Sequence, residues 1–157
     1  MSTMDPKVPG FPTTRLRRLR SNPALRRLVR EVDLSPGQLI LPLFARTGRG
    51  VRQEIPSLPG HAQLTVDLIA EEAAEASRLG LGGVLLFGIP AAKDPLGSDS
   101  FHDDGVVQQA IRAVKKAAPD LLCITDVCFC EYTDHGHCGA LAERDGKMDV
   151  DNDTTLQ

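Results

Sequence analysis

The feature that most constrains this 157-residue sequence is an alternation of continuous apolar runs with amphipathic segments. The runs have strand length and show no polar alternation, which is typical of parallel strands buried on both faces. They cover residues 38–44 (QLILPLF), 83–89 (GVLLFGI) and 121–127 (LLCITDV). Their alternation with helices predicts an α/β fold with a parallel sheet covered on its faces.

Two helices are predicted between these runs. The first covers residues 65–79, with Thr65 as its cap, acids towards its N-terminal end and Gly80 at its end. The second opens at Asp103 and Asp104 and stops at Pro119. The predicted apolar faces are Val66, Ile69, Ala70, Ala73 and Ser77 in the first helix, and Val107, Ala110, Ile111, Val114 and Ala118 in the second. Residues 152–156 resemble the cap and first turn of a third helix.

The connections between these elements differ in length. Helix-to-strand turns take a few residues, whereas the strand-to-helix connections 45–64, 90–104 and 128–151 are long. In a β/α barrel such connections lie on one face, where active sites are built. An open doubly wound sheet is the alternative, with its ligand also at the carboxyl ends of the strands. A complete barrel takes about 250 residues for its eight strands, so we expect the N-terminal portion of a longer protein, which in the barrel interpretation is the N-terminal part of a (β/α)8 TIM barrel.

Charge separates the N-terminus from the rest of the chain. Residues 1–30 carry a net charge of +7, and the remaining residues carry −10. Residues 1–14 contain three prolines, and Pro23 suits the first turn of a short helix capped by Asn22. We therefore expect an extended N-terminal arm with short helices over 1–35. The first three β/α units of a barrel would follow over 36–157, incomplete at Gln157.

A basic arm on an acidic body favours a binding partner, which could be nucleic acid, a membrane surface or another copy of the chain. Residues 15–30 lack the aromatic side chains that stack on bases, which argues against nucleic acid. The longest apolar run is too short for a membrane helix, and the N-terminus has no apolar signal core. Four cysteines do not make a disulfide scaffold in a chain of this size, so a reduced, cytoplasmic protein is expected.

Chemistry concentrates in residues 125–139 (TDVCFCEYTDHGHCG). Cys128, Cys130 and Cys138 form a Cys-x-Cys-x7-Cys pattern just beyond a buried strand. Strand alternation would place the first two on the same side, and the glycines at 136 and 139 would let the loop return the third. Three converging thiolates suit a soft, tetrahedral metal such as zinc.

The fourth position of such a metal remains open in this pattern. A free position for water or substrate is typical of catalytic zinc, whereas His135 or His137 would close the site as a structural Cys3His centre. Packed thiols or a Cys128/Cys130 redox pair are the alternatives to a metal. Cys123 lies inside the apolar run and is expected in the core.

Asp126 lies two residues before the first cysteine of the pattern. Its side chain is expected on the same side as Cys128, at the carboxyl end of the strand. A carboxylate in this place can orient a substrate amine, tune a metal or relay protons. A turn-stabilising aspartate is the alternative.

Residues 126–139 resemble the zinc-binding loop of the porphobilinogen synthase family, also called the 5-aminolevulinate dehydratases. Further matching segments are the Arg-rich start 15–20, 39–44 (LILPLF), 57–60 (SLPG), 86–88 (LFG), Lys93-Asp94 with Gly97-Ser98, and 150–156. The resemblance covers nearly all of the chain beyond its first dozen residues, and about the first half of the family's length.

The resemblance implies a β/α barrel whose N-terminal arm wraps a neighbouring subunit in a large homo-oligomer, an octamer. The implied enzyme is a cytoplasmic hydro-lyase of heme and other tetrapyrrole (porphyrin) biosynthesis. It condenses two molecules of 5-aminolevulinate to porphobilinogen and releases two waters. In the zinc-dependent branch Cys128, Cys130 and Cys138 hold Zn²⁺, and Asp126 matches an acidic active-site position. The partners implied are 5-aminolevulinate and further copies of the chain, with no nucleic acid and no membrane.

The resemblance also implies two lysines that bind the substrates as Schiff bases, and both lie in the part of the family that this sequence does not cover. A Schiff-base lysine must be desolvated so that its amine is neutral. The lysines present are Lys7, Lys93, Lys115, Lys116 and Lys147, all in polar loops, at a helix end or on the arm. We therefore expect the isolated chain to be inactive. The alternative function is a non-catalytic zinc-binding or oligomerisation module.

Overall fold

The computed structural model describes residues 17–156 and divides the chain into two units, the first ending at Leu34 and the second starting at Ser35. In the first unit a 3₁₀ turn, Arg18–Arg20, precedes helix α1, Pro23–Leu28. The Asn22 side chain accepts a hydrogen bond from the Leu25 N–H at 2.9 Å, which confirms the predicted cap. No residue of α1 is buried. The arm predicted over residues 1–14 lies outside the described residues.

A five-stranded sheet organises the second unit in the order β2-β3-β1-β4-β5. The strands are β1 (Ile40–Arg46), β2 (Arg52–Glu54), β3 (Ala62–Thr65), β4 (Gly83–Ile89) and β5 (Leu122–Thr125). The pairs β3–β1, β1–β4 and β4–β5 are parallel, and β2 is antiparallel to β3. The parallel sheet predicted from the three apolar runs is therefore confirmed in β1, β4 and β5.

Strands β2 and β3 lie inside the connection 45–64, for which the apolar pattern predicts no strand. All three residues of β2 are exposed, so this edge strand has no apolar pattern from which it could be predicted. Strand β3 has four residues, and its pairing with β1 is confined to the last part of that strand, at Phe44, Ala45 and Arg46. Strand β3 forms by pairing with β1, from which residues 47–61 separate it, and β2 forms by pairing in turn with β3.

The connection 128–151 likewise contains structure that was not predicted. Strands β6 (Leu141–Arg144) and β7 (Lys147–Val150) form an antiparallel hairpin. Its turn is Asp145-Gly146, and both residues have positive φ, 51° and 74°. An Asp-Gly pair is the strongest short-range signal for a two-residue hairpin turn, so this element was readable from the sequence.

Helix α2 spans Val66–Arg78, with Thr65 at the N-cap position as predicted. The Thr65 hydroxyl does not cap the helix, because it is within hydrogen-bond distance of the Val51 backbone at 3.1 Å and 3.5 Å. Ala76 is buried on the core face, whereas Ser77, predicted there, is exposed.

Helix α3 spans Val106–Ala117 and begins later than predicted. Asp103 and Asp104 belong to a preceding turn, which the Gly105 N–H closes by donating to His102 O at 2.8 Å. A short helix α4, Asn152–Thr155, follows β7 with Asp151 at its N-cap, in agreement with the predicted helix start. None of the helices within 17–156 has the length and apolar character needed to cross a bilayer.

The core lies between the sheet and helices α2 and α3. Alternate strand residues, Leu43 and Ala45 in β1 and Val84 and Leu86 in β4, pack in one cluster with the buried residues of both helices. On the opposite face of the sheet the rings of Phe44 and Phe87 stack with centroids 5.2 Å apart. The parallel strands end along one edge, and the loop that follows β5 carries the cysteines.

Candidate metal centre

Three thiol groups converge in the loop after β5. The Sγ atoms of Cys128, Cys130 and Cys138 all lie within 4.8 Å of one another. The Sγ atoms of Cys128 and Cys138 are 3.7 Å apart, and all four cysteines of the chain are free thiols. The structure thus brings together the three cysteines that sequence spacing selected.

A turn produces this convergence. The expected strand alternation is wrong as its cause, since β5 ends at Thr125 and Cys128 and Cys130 lie beyond it. The N–H groups of Tyr132 and Thr133 both donate to Phe129 O at 2.9 Å, which reverses the chain direction. The glycines at 136 and 139 then have φ of 73° and 139°, conformations that favour glycine, as the predicted return of the loop requires.

The surroundings of the thiols affect their ionisation unequally. The Phe129 N–H donates to the Cys138 Sγ at 3.2 Å and lowers the pKa of that thiol. The Cys130 N–H also acts to lower the pKa of Cys128. Burial, hydrogen bonds with the other two thiols and the Glu131 charge outweigh it and raise the pKa of Cys128 to about 12. Cys138 therefore ionises more readily than Cys128.

The donor set fits a thiolate-binding metal. Tetrahedral zinc with Zn–S bonds of about 2.3 Å requires sulfurs about 3.8 Å apart, close to the 3.7 Å between Cys128 and Cys138. Within residues 17–156 neither His135 nor His137 joins the three-sulfur cluster. The His135 ring instead lies 3.2 Å from Pro95 O through Nε2 and accepts the His137 N–H through Nδ1 at 3.1 Å.

Asp126 lies beside Cys128, as predicted. Its N–H donates to Leu86 O at 3.1 Å, which continues the pairing of β5 with β4. Its exposed carboxylate, the Cys128 Sγ and the Glu131 carboxylate lie within 4.8 Å of one another. Sequence reasoning missed Glu131, although it directly follows Cys130.

A cavity of about 280 Å³ opens next to Asp126 and Cys128. It is lined by the cysteine loop on one side and on the other by Val107, Gln108 and Ile111 of α3. A second cavity, of about 320 Å³, shares Phe101 and Phe129 with the first and extends to Gly139 and α4. Cys128 and Asp126 therefore adjoin space that a small molecule could occupy.

Tyr132 anchors the cysteine loop to the sheet. Its side chain is buried, and its ring lies so close to Gly88 of β4 that a Cβ there would be 2.8 Å from the ring carbon Cζ. Burial, assisted by the negative charges of nearby acids, raises the pKa of Tyr132 to about 12. Cys123 packs against the core as predicted, and burial raises the pKa of its thiol.

The lysines lie outside this site. Lys93, Lys115, Lys116 and Lys147 are all exposed, and the ammonium of Lys115 donates to Leu121 O at 2.8 Å at the end of α3. Lys7 lies outside the described residues. None of the four described lysines is in the desolvated setting that keeps an amine neutral.

A parallel β/α sheet with thiols and a carboxylate at its strand ends defines a barrel-type α/β protein with a candidate metal site. The chain belongs to the delta-aminolevulinic acid dehydratase family, whose model matches residues 13–157. The family resemblance drawn from the cysteine loop is thereby confirmed.

Among the relatives, the delta-aminolevulinic acid dehydratase of Synechocystis sp. is 52% identical over 147 residues, which is 94% of this chain and 45% of the relative. That of Halalkalibacterium halodurans is 50% identical over 129 residues, 82% of this chain and 39% of the relative. The chain thus spans less than half the length of these relatives.

The solved structures include a similar one, the Toxoplasma gondii ME49 delta-aminolevulinic acid dehydratase (porphobilinogen synthase) in complex with its reaction product porphobilinogen. It superimposes with a TM-score of 0.81 at 36% identity, over 91% of this chain and 40% of that chain. The expected fold, a portion of a β/α barrel, is confirmed by this match.

Proposed function

We propose that this chain supplies the N-terminal part of a porphobilinogen synthase, which condenses two molecules of 5-aminolevulinate to porphobilinogen and releases two waters. The observation that carries the proposal is the convergence of Cys128, Cys130 and Cys138 beside Asp126 at the carboxyl end of β5. Family membership supports it, and so does the product-bound state of the Toxoplasma gondii relative.

The proposed cofactor is Zn²⁺, with the three cysteines as its protein ligands. Three thiolates without an imidazole leave a fourth position, which is typical of catalytic zinc. When bound, the ion supplies Lewis acidity and a template for a substrate carbonyl or amine.

The residues around the thiols have separate roles in this proposal. The Phe129 N–H stabilises the Cys138 thiolate through its hydrogen bond. The exposed Asp126 carboxylate orients a substrate ammonium group or relays protons, in the cavity that it lines with Cys128. The burial of Tyr132 holds the loop on the sheet and so fixes the distance between the carboxylate and the thiols.

The carbon chemistry depends on Schiff-base lysines, which the family resemblance implies. The exposure of the described lysines supports the proposal that this chain alone is inactive. The +7 arm would contact the −10 body of another copy, and the family resemblance favours a homo-oligomer, an octamer, in the cytoplasm.

A combined measurement of zinc content and turnover tests the proposed function. The 157-residue chain is assayed for bound zinc and for porphobilinogen formation from 5-aminolevulinate, with and without the complementary C-terminal segment of the Synechocystis relative. We expect about one zinc ion per chain, no turnover by the chain alone, and turnover when the segment restores the lysines. Zinc binding that Cys128→Ala leaves unchanged would refute the ligand assignment.

A second candidate function is a non-catalytic zinc-binding or oligomerisation module. The observation that favours it is the absence of a desolvated lysine within residues 17–156. Zinc binding and self-assembly without turnover in the presence of the C-terminal segment would support this module over the enzyme.

A further inference from the structure

We infer that Asp94 is a positioning residue that holds the cysteine loop in its metal-binding arrangement, an inference that rests on the proposed function. Asp94 lies in the connection between β4 and α3, in the Lys93-Asp94 segment that resembles the family. It does not belong to either group of candidate ligands. Its importance comes from the contacts that its side chain and backbone make.

The Asp94 carboxylate organises the residues that follow it. It accepts hydrogen bonds from the Leu96 N–H at 2.8 Å, the Ser98 N–H at 3.1 Å and the Ser98 hydroxyl at 3.2 Å. The Gly97 N–H donates to Asp94 O at 3.2 Å, and Gly97 has a left-handed φ of 63°. These bonds lower the pKa of Asp94 and hold residues 94–98 in one conformation.

The backbone of the same residue binds the cysteine loop. The Asp94 N–H donates to Tyr132 O at 3.3 Å, and Asp94 O accepts from the Asp134 N–H at 3.2 Å. These two bonds form a parallel bridge between Asp94 and Thr133. Pro95 O adds a contact of 3.2 Å to the His135 ring. The segment after β4 is thus attached to the part of the loop that lies between the second and third cysteines.

Thr133 connects the bridge with Asp94 to the backbone next to the third cysteine, Cys138. Its side chain is 1% exposed, and its hydroxyl donates to His137 O at 2.7 Å, directly before Cys138. Cys138 is the one thiol of the cluster on the returning arm of the loop. A displacement of Thr133 therefore changes the distance from Cys138 to the other two sulfurs.

Close packing supports the same attachment. A Cβ on Gly97 would lie 3.1 Å from the Tyr132 Cβ and 3.4 Å from the Phe129 Cδ1. The 94–98 segment therefore rests directly on the turn that reverses the cysteine loop. Without the Asp94 carboxylate, water can satisfy the freed donors of this half-exposed segment, so the expected loss is in positioning rather than in folding.

The test compares metal binding by the 157-residue chain and its Asp94→Ala variant. Co²⁺ is titrated by its thiolate charge-transfer and ligand-field bands, and Zn²⁺ by competition with a chromophoric chelator. We expect Asp94→Ala to weaken binding of both ions measurably, but by less than the roughly 10- to 100-fold that removal of a direct partner of a metal ligand costs, because Asp94 reaches Cys138 only through Thr133 and His137 O. Its ligand-field bands should shift as Cys138 moves. Asp94→Asn keeps an acceptor oxygen and should recover most of the affinity.

The matched control is Asp103→Ala, which removes an exposed carboxylate from the same connection and should bind as the unaltered chain does. Thr133→Val should weaken binding as well, and the double variant should lose less than the product of the two single effects, because both act through one path. A merely structural role would lower the thermal stability of the metal-free chain and leave affinity and spectrum unchanged.

The outcomes separate this inference from the proposed function. If Cys128→Ala binds Co²⁺ with the same spectrum as the unaltered chain, the ligand assignment fails. If Cys128→Ala loses the spectrum while Asp94→Ala keeps both spectrum and affinity, the Asp94 inference is overturned and the ligand assignment stands. Should Asp94→Ala not fold, Thr133→Val removes the one side-chain bond through which the same path reaches His137 O. Unchanged affinity in that variant would also overturn the inference.

Discussion

Gly88 makes room for the Tyr132 ring, so Gly88→Ala should damage both the fold and the candidate metal centre. The added Cβ would lie 2.7 Å from the Val107 Cγ2 and 2.8 Å from the Tyr132 Cζ, and nearest of all to the Tyr132 hydroxyl oxygen. These contacts are closer than carbon atoms approach without displacement. Val107 lies on α3 and packs against the core, so the methyl group meets obstacles on two sides.

Overpacking of this kind costs about 1–3 kcal/mol, and we expect Gly88→Ala to lower the free energy of unfolding by that amount. Urea denaturation followed by far-UV circular dichroism measures it. Relief of the clash by movement of Tyr132 would also displace the turn that aligns the cysteines, so Co²⁺ affinity should fall in the same variant. Gly88→Ala with Tyr132→Phe removes the nearest atom and should recover part of both losses.

The matched control is Gly37→Ala. A Cβ at Gly37 would meet no described atom closer than 3.9 Å, and its φ lies outside the left-handed region. A compatible Gly-to-Ala change stabilises by about 0.4–1 kcal/mol through the unfolded chain. If Gly88→Ala is as stable as the unaltered chain, the proposed packing of Tyr132 on β4 is wrong.

Three further predictions concern the thiols, the arm and the tyrosine. Cys128→Ala or Cys138→Ala should remove most of the zinc measured by plasma emission spectrometry in purified protein, and unchanged zinc would contradict the ligand assignment. Deletion of residues 1–14 should reduce the mass of the assembly in sedimentation analysis, whereas an unchanged mass would argue against a role of the arm in assembly. The pKa of Tyr132 is raised from its ordinary value of 10 to about 12, so the fold favours the neutral phenol. That contribution to stability is fully present below pH 10 and is lost as the pH rises towards 12. Tyr132→Phe should unfold with a weaker dependence on pH in that range, and an identical dependence would refute the argument.

The apolar periodicity of the chain predicted β1, β4, β5, α2 and α3 because the signal for each lies within the element itself. Burial in the structure follows that periodicity, with Ile69 and Val114 fully inaccessible. Strand β2 was not predicted because all of its residues are exposed, and β3 was not predicted because its four residues depend on pairing with β1, which lies before residues 47–61. The β6–β7 hairpin was not predicted, although the Asp145-Gly146 pair is a sequence signal for its turn.

The residues of the candidate site were predicted from the sequence, but their detailed arrangement was not. Residue type and spacing identified Cys128, Cys130, Cys138 and Asp126. The ability of a thiol or a carboxylate to bind a metal or a proton is a property of the residue type, so it can be recognised without the fold. The sequence left His135 and His137 open as ligands. Their separation from the sulfur cluster follows from the turn at Phe129 and from the contact of His135 with Pro95 O.

Local sequence thus determined the helices, the buried strands and the identity of the thiol donors, since each depends on residues that are near one another in the chain. Tertiary structure decided how far apart the sulfurs lie and what holds them there. Asp94 lies more than thirty residues before Cys128, and Gly88 lies further still. Their contacts with Thr133 and Tyr132 exist because parallel strands bring successive connections to one edge of the sheet, which the sequence of either segment does not encode by itself.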